Sequence, residues 1–355
     1  LKKIHILLAV GLFILAGCGN KENQAEPTIN KEPYAEQQFL MGTYVKIQIY
    51  DDGKEEVLDQ AFAKIKDLAD RITVNQAGSE IDEVNDQAGI KPVEVSEDIF
   101  ELVEQAYAYS KQSKGGFDLT IGPITELWHI GFDDARKPEQ YEIDDALKLV
   151  DYQDVELDKS QHTIFLPKKK MRLDLGAIAK GFITDRVIDV LHDNDVTTAI
   201  VDLGGNVFVL GNSPKSDDGN WTVGIQDPNK SRNTVVGTVK VTDKSLVTSG
   251  IYERNLTVDG KTYHHLFNGK TGYPFENEIA GVTIISDKSV DGDGLSTAVF
   301  SMGVADGMAY VESLSDIDAV FVTKNDEIYI SSGIQDNFKL SQDSNYKVKE
   351  LKGAN

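Results

Sequence analysis

Thr198-Ala199-Ile200-Val201-Asp202-Leu203-Gly204-Gly205-Asn206-Val207-Phe208-Val209-Leu210 is the stretch that decides the fold class. Residues 198–203 and 206–210 are rich in β-branched and apolar residues, and the Gly204-Gly205 pair between them reads as a tight turn. Strand candidates continue at 221–225, 235–241, 246–248 and 279–285, with two late ones at 319–323 and 328–330. Turn signals at Asp217-Asp218-Gly219-Asn220 and Asp259-Gly260 separate several of them, which points to antiparallel pairing. Upstream, residues 43–50 alternate, with Val45, Ile47 and Ile49 on one face, as a half-buried strand does. Val57, Ala61, Ile65, Leu68 and Ile72 recur at three- and four-residue steps and predict an amphipathic helix. Further helices are expected over 98–112, after Asp174-Leu175-Gly176, and near 295–314. Helices and strands do not alternate regularly. The expected class is therefore α+β, with mostly antiparallel sheets packed with helices, rather than a doubly wound sheet. No repeat or linker divides residues 39–340, which read as a single domain followed by a polar tail over 341–355.

The 355 residues are 40% hydrophobic and 26% charged, enough apolar material for a packed core. A formal net charge of −22 argues against a nucleic-acid partner, because such a surface repels a phosphate backbone. A polyanionic substrate would need a local cation, and a bound metal supplies one. Cys18 is the one cysteine, which excludes internal disulfides and multi-cysteine metal or iron–sulfur sites. Lys2 and Lys3 precede an apolar run over residues 4–15, which is short for a bilayer span. With Leu15-Ala16-Gly17-Cys18 it resembles a bacterial lipoprotein signal, in which residues 1–17 are a signal peptide and Cys18 carries lipid at the new N-terminus. An ordinary secretion signal and a short membrane anchor are the alternatives. Residues 18–38 are polar and aperiodic and read as a flexible tether. The expected place is the extracytoplasmic face of the cell membrane.

Several common signatures are missing: no Gly-x-Gly-x-x-Gly follows a strand, and there is no Walker loop, Gly-x-Ser-x-Gly elbow or His-Glu-x-x-His. Five segments stand out instead. In Asp291-Gly292-Asp293-Gly294-Leu295-Ser296-Thr297 two acids flanked by glycines open an expected helix. Asp293 and Thr297, four apart, share a face and offer hard oxygen ligands suited to Mg²⁺. On spacing alone, an N-cap with a polar first turn is the more economical reading. In Tyr263-His264-His265-Leu266-Phe267-Asn268-Gly269-Lys270-Thr271-Gly272 one histidine can act as a base near neutral pH. Taken alone, one cross-strand histidine and one satisfied by hydrogen bonds explain the pair as well. Leu173-Asp174-Leu175-Gly176-Ala177 leads into a helix and can bring backbone groups to an anion or metal. Gly116-Phe117-Asp118-Leu119-Thr120-Ile121-Gly122-Pro123 and Ser249-Gly250-Ile251-Tyr252 complete the set, each a plausible turn by itself.

Together, and in this order, these segments resemble the ApbE family of FAD:protein FMN transferases. The likeness runs from Phe39-Leu40-Met41-Gly42-Thr43 to Thr297 and beyond, nearly the whole mature chain. It implies an ApbE-like architecture related to the T-fold. It also implies Mg²⁺-dependent transfer of FMN from FAD to a serine or threonine of an extracytoplasmic protein, with release of AMP. Carried over by position, it implies Mg²⁺ on Asp293, Thr297 and the Ala177 carbonyl, with Ser296 as a further contact. FAD is then expected against Met41, Asn75, Gly116, Phe117, Asp118, Asp174, Lys180 and Phe267, and His265 is the expected general base. The implied acceptor carries an aspartate upstream of the serine or threonine. A Mg²⁺-dependent FAD pyrophosphatase and a flavin-binding lipoprotein are the readings from other classes. The chain departs from the family pattern at Asn268 and Gly269, in place of aspartate and proline. Gly292 and Gly294 replace alanines, and Asn75 stands where a tyrosine often covers the flavin.

Overall fold

The computed structural model of the chain describes residues 27–74, 77–231 and 234–351. Strand β1 (Ile29–Leu40) turns at Met41-Gly42 into β2 (Thr43–Asp51), and the two pair antiparallel. Both turn residues have positive φ, 53° at Met41 and 72° at Gly42, the primed geometry whose twist matches that of the flanking strands. Val45, Ile47 and Ile49 are fully buried, as the alternation predicts. The tether expected over 18–38 is corrected at its far end. Residues 29–38 belong to β1, because pairing with β2 satisfies backbone groups that a polar, aperiodic sequence does not reveal. The expected signal peptide and Cys18 lie outside the described residues.

Helix α1 (Val57–Ile72) buries Ala61, Phe62, Ile65 and Leu68 on its predicted face. Then follow α2 (Glu80–Asp86), β3 (Val93–Glu94), α3 (Glu97–Gln112), α4 (Gly122–Trp128), α5 (Gln140–Leu147), β4 (Glu156–Asp158) and β5 (Thr163–Phe165). Helix α6 (Ala179–Asp193) leads to the hairpin β6 (Ala199–Leu203) and β7 (Asn206–Leu210), joined at Gly204-Gly205 as the opening stretch predicts. Beyond it come β8 (Trp221–Gln226), β9 (Val235–Val241), β10 (Lys244–Gly250), β11 (Asn255–Val258), β12 (Lys261–His264) and β13 (Ile279–Ser286). Helix α7 (Ser289–Glu312), β14 (Asp318–Thr323), β15 (Glu327–Ile330), β16 (Phe338–Leu340) and β17 (Lys347–Lys349) complete the chain.

Nine strands form the main sheet in the order β1-β2-β6-β7-β10-β13-β14-β15-β17. Every pairing in it is antiparallel except β15 with β17. That parallel pair corrects the expected polar tail, since part of it adds an edge strand. Helices α1, α6 and α7 cover one face, and the small sheet β16-β9-β8 covers the other through Tyr50, Trp221, Val239 and Val320. A satellite cluster under the histidine segment joins α4, through Trp128, and α5 to Tyr263 and Phe267. The structure is thus α+β with mostly antiparallel sheets. Helix α7 begins at Ser289, earlier than expected, and breaks its helical geometry at Gly303 (φ 80°, ψ 175°), where Glu278 accepts the Val304 amide at 2.7 Å.

Candidate active site

Helices α6 and α7 cross at their N-terminal turns. A Cβ on Gly181 would lie 2.3 Å from the Ser289 carbonyl oxygen and 2.8 Å from Val290 Cα, so only glycine lets the two backbones come this close. Asp185, one turn further along α6, accepts the Ser289 and Val290 amides at 2.7 and 3.0 Å. It caps α7 from a neighbouring helix, because the N-cap residue itself, Lys288, makes no capping bond with its side chain. Burial pushes the Asp185 carboxyl up to about 7 against the pull of these two amides. Gly181→Ala is expected to force the helices apart and lower unfolding stability by about 1–3 kcal/mol. Chemical denaturation checks this, and a wild-type midpoint would show that the crossing has slack.

Asp293, expected at a helix start, lies in the second turn of α7 and is 5% exposed. Its Oδ2 accepts the Gly181 amide at 2.5 Å and its Oδ1 accepts Asn206 Nδ2 at 2.9 Å. Lys180 Nζ stands 3.9 Å from Oδ1 and donates to Asn206 Oδ1 at 2.5 Å. Burial raises the pKa of the Asp293 carboxyl, while Lys180, Asn206 and Gly181 act the other way.

Thr297 follows one turn later and is half-buried. The buried Ser296 hydroxyl donates to the Asp293 carbonyl at 3.0 Å and meets the Ser249 hydroxyl at 2.8 Å. That contact fastens the Ser249–Tyr252 segment to α7. Ala177 lies in the turn before α6. The Gly181 amide, which a regular helix would direct to the carbonyl four residues back, donates to Asp293 instead. Among the described residues no backbone amide takes the Ala177 carbonyl. The three expected ligands offer one carboxylate, one hydroxyl and one carbonyl, hard oxygens of the kind that suit Mg²⁺, and the Gly181 bond brings Asp293 to the start of α6. Among the described residues no group of three or more His, Cys, Asp or Glu is arranged to hold a metal ion.

The segments around Asp118 and Asp174 meet edge to edge. The Asp174 amide donates to the Leu119 carbonyl at 2.9 Å. Its carboxylate accepts Thr125 Oγ1 at 2.6 Å and the Gly176 amide at 2.8 Å. Asp118 accepts the amide and hydroxyl of Thr120 at 2.9 and 2.6 Å, and burial raises its pKa. Phe117 is buried, and a Cβ on Gly116 would come within 2.1 Å of Ser301 Oγ, so this turn packs on α7. Met41 tips the β1–β2 hairpin beside the β6–β7 turn, where a Cβ on Gly204 would reach Thr43 Oγ1 at 2.2 Å. Asn75 lies outside the described residues. Phe267 is buried with its ring against Trp128, centroids 5.7 Å apart, so its ring belongs to a small core rather than to an open ligand surface.

The hairpin of β11 and β12 delivers His264-His265. His264 is 8% exposed with both nitrogens engaged: Nε2 donates to the Phe275 carbonyl at 2.9 Å and Nδ1 accepts the Leu266 amide at 3.2 Å. His265 is half-buried and engaged at one nitrogen, Nδ1, 3.2 Å from the Arg254 carbonyl. A carbonyl only accepts, so Nδ1 carries the proton and Nε2 keeps its lone pair. Desolvation, reinforced by the charges of Arg254 and Lys180, pulls His265 down to about 4, and burial does the same to His264. An open cleft of about 500 Å³ flanks His264, lined by Lys261, Tyr263, Tyr273 and Lys324 among others; Asp293, Lys180 and His265 do not line it.

A family model described as ApbE family matches residues 41–321. The chain belongs to the ApbE family. It is 40% identical over 315 residues to a Klebsiella pneumoniae protein named FAD:protein FMN transferase, covering 89% of this chain and 96% of that one. A Treponema pallidum protein of the same name is 32% identical over 352 residues, covering 95% and 96%. The crystal structure of the ApbE protein of Thermotoga maritima superposes with a TM-score of 0.77 at 29% identity, covering 85% of this chain and 98% of that one.

Within the ApbE pattern the departures have local reasons. Asn268 Oδ1 accepts the Lys270 amide at 2.8 Å, the Asx-turn bond a carboxylate would make. A Cβ on Gly292 or Gly294 would come within 2.5 Å of Val247 Cγ2 or Tyr109 Cδ2 respectively. Tyr109 uses the room, lying over Gly294 and donating to Asp291 Oδ1 at 2.5 Å. Three residues that shape this ApbE site were not among the sequence candidates: Asp185, Tyr109 and Asn206. In the sequence Asn206 reads as the residue after a turn, and its partners Lys180 and Asp293 lie 26 and 87 positions away.

Proposed function

We propose that the chain transfers the FMN half of FAD onto a serine or threonine hydroxyl of an acceptor protein and releases AMP, with Mg²⁺ held at Asp293. Its relatives carry the name FAD:protein FMN transferase. The observation in this chain that supports the reading is the buried Asp293 carboxylate, pointed at α6 beside Lys180. Asp293, Thr297 and the Ala177 carbonyl would hold Mg²⁺, with Ser296 bracing Asp293 from within α7. When bound, Mg²⁺ offsets pyrophosphate charge and makes AMP a better leaving group. Lys180 adds positive charge in a chain whose net charge repels a polyanion. His265 takes the acceptor proton at Nε2 as the hydroxyl oxygen bonds to the FMN-side phosphorus, and the bond from that phosphorus to the bridging oxygen breaks. The Arg254 carbonyl holds the imidazole in the tautomer this needs. Its low pKa belongs to the free chain; an anionic pyrophosphate nearby raises it toward the range where a general base works. The turns around Asp118 and Asp174, with Met41, form the surface for FAD, and the acceptor offers a serine or threonine downstream of an aspartate.

Incubation with FAD, Mg²⁺ and exported proteins is expected to give fluorescent bands on a denaturing gel, and a chelator should abolish them. Equal release of FMN and AMP without covalent product would identify a pyrophosphatase, and binding without turnover a flavin carrier. The reading also places the chain on the outer face of the membrane through lipid on Cys18. No helix among the described residues is long and apolar enough to cross a membrane. Cys18→Ala is expected to release the protein into the soluble fraction or block its processing, and unchanged membrane retention would count against the lipid.

A further inference from the structure

Asn206 opens β7 directly after the Gly204-Gly205 turn and is 1% exposed. The two ends of its amide are used in opposite senses. Nδ2 donates to Asp293 Oδ1 at 2.9 Å, and Oδ1 accepts Lys180 Nζ at 2.5 Å. Lys180 Nζ is itself 3.9 Å from Asp293 Oδ1, beyond hydrogen-bond reach. We infer that Asn206 is a positioning residue, a spacer that holds Lys180 off Asp293 so that the carboxylate stays open to a cation and the ammonium to an anion. This rests on the reading of Asp293 as the metal ligand.

The physical need is plain. With the carboxylate buried and the ammonium partly exposed, the two attract across a short gap and close to contact unless something fills it. Once in contact, each occupies the lone pairs or protons the other would present to metal or pyrophosphate. Asparagine is short enough for the gap and has one donor end and one acceptor end. Aspartate could accept from Lys180 but would repel Asp293. Leucine would serve neither and would leave the buried Asp293 oxygen without its donor. The backbone cannot shift to compensate: Leu203 pairs with Asn206 across the turn, and the Gly205 amide is tied to Asp202 Oδ1 at 2.8 Å.

The test is a double-mutant cycle on the full chain, reading Mn²⁺ affinity by paramagnetic resonance with ADP present as the pyrophosphate probe. In the wild-type background Asn206→Ala is expected to weaken Mn²⁺ at least tenfold. In a Lys180→Met background, where no ammonium can collapse onto Asp293, the same change should weaken it less than threefold. Asn206→Ser provides a second small variant if the alanine form folds poorly, and thermal melting is recorded for each. An equal loss in both backgrounds would overturn the spacer role, since Asn206 would then act on Asp293 alone. No loss in the wild-type background would overturn it as well. Wild type and Asp293→Ala binding Mn²⁺ equally would remove the metal reading itself, and the spacer with it.

Discussion

Asp293→Ala is expected to stop flavin transfer while leaving the chain folded. The rate should fall by at least ~10²–10³-fold, the range seen when one preorganised electrostatic group is removed from a reaction centre. Its carboxylate is the one anionic ligand in the oxygen set, and the neighbouring Asp185 carboxylate is already taken up by the Ser289 and Val290 amides. The effect on stability should be small. The variant leaves the Gly181 amide and Asn206 Nδ2 without an acceptor, a penalty of about 1–3 kcal/mol each when fully unsatisfied. It also removes a buried charge whose protonation burial favours, so the two effects oppose each other. Because the folded pKa is raised, the stabilising contribution of Asp293 in the metal-free chain is present in acid and lost as pH rises through the folded value. Mg²⁺, which competes with that proton, should therefore raise the melting temperature more in mild alkali than in acid. Single-turnover flavinylation and thermal melting with and without chelator check both statements. Transfer within tenfold of wild type in Asp293→Ala would falsify the metal assignment.

The second large effect belongs to His265. His265→Ala should bind FAD nearly as well as wild type yet transfer FMN at least ~100-fold more slowly, the lower end of what a general base contributes. His264→Ala acts differently. Both nitrogens of His264 are bonded inside the protein, so its loss should lower stability by about 1–3 kcal/mol and affect chemistry far less. The pH dependence follows from the same geometry. With His265 near 4 in the free chain, the acid limb of kcat/KM should lie well below the ordinary histidine value, and that of kcat, with pyrophosphate bound, should lie higher than that of kcat/KM. Both histidines have folded values below the unfolded 6.5. Their stabilising contribution is thus present above pH 6.5 and lost as pH falls toward 4, at up to about 1.4 kcal/mol per pH unit for each. Denaturation midpoints from pH 7 to 4 measure this, and His265→Ala should flatten the slope. A wild-type transfer rate in His265→Ala would move the role of base to a carboxylate.

What the sequence by itself determined was local. Alternation at Val45, Ile47 and Ile49, three- and four-residue steps in α1, and the Gly204-Gly205 turn appear in the structure where their periods place them. Each depends on neighbours within a few residues. The α+β class followed from their order, and the ApbE segments were readable because each keeps its chemistry in a short run. Only tertiary structure decided the rest. Strand β1 was hidden because its backbone is satisfied by β2 and its outward residues are polar. His264 and His265 are equivalent as letters; the carbonyls of Phe275 and Arg254, each 11 residues away, make one structural and hold the other at Nδ1, with Nε2 unbonded among the described residues. Asp293 looked like the start of a helix because capping is read locally, whereas Asp185 supplies the cap from 104 residues away. Asn206 between Lys180 and Asp293 had no trace in the sequence. A hydrogen bond between side chains 87 residues apart depends on the order of strands in a sheet and the closeness of two helices at Gly181, and neither is written in any local period.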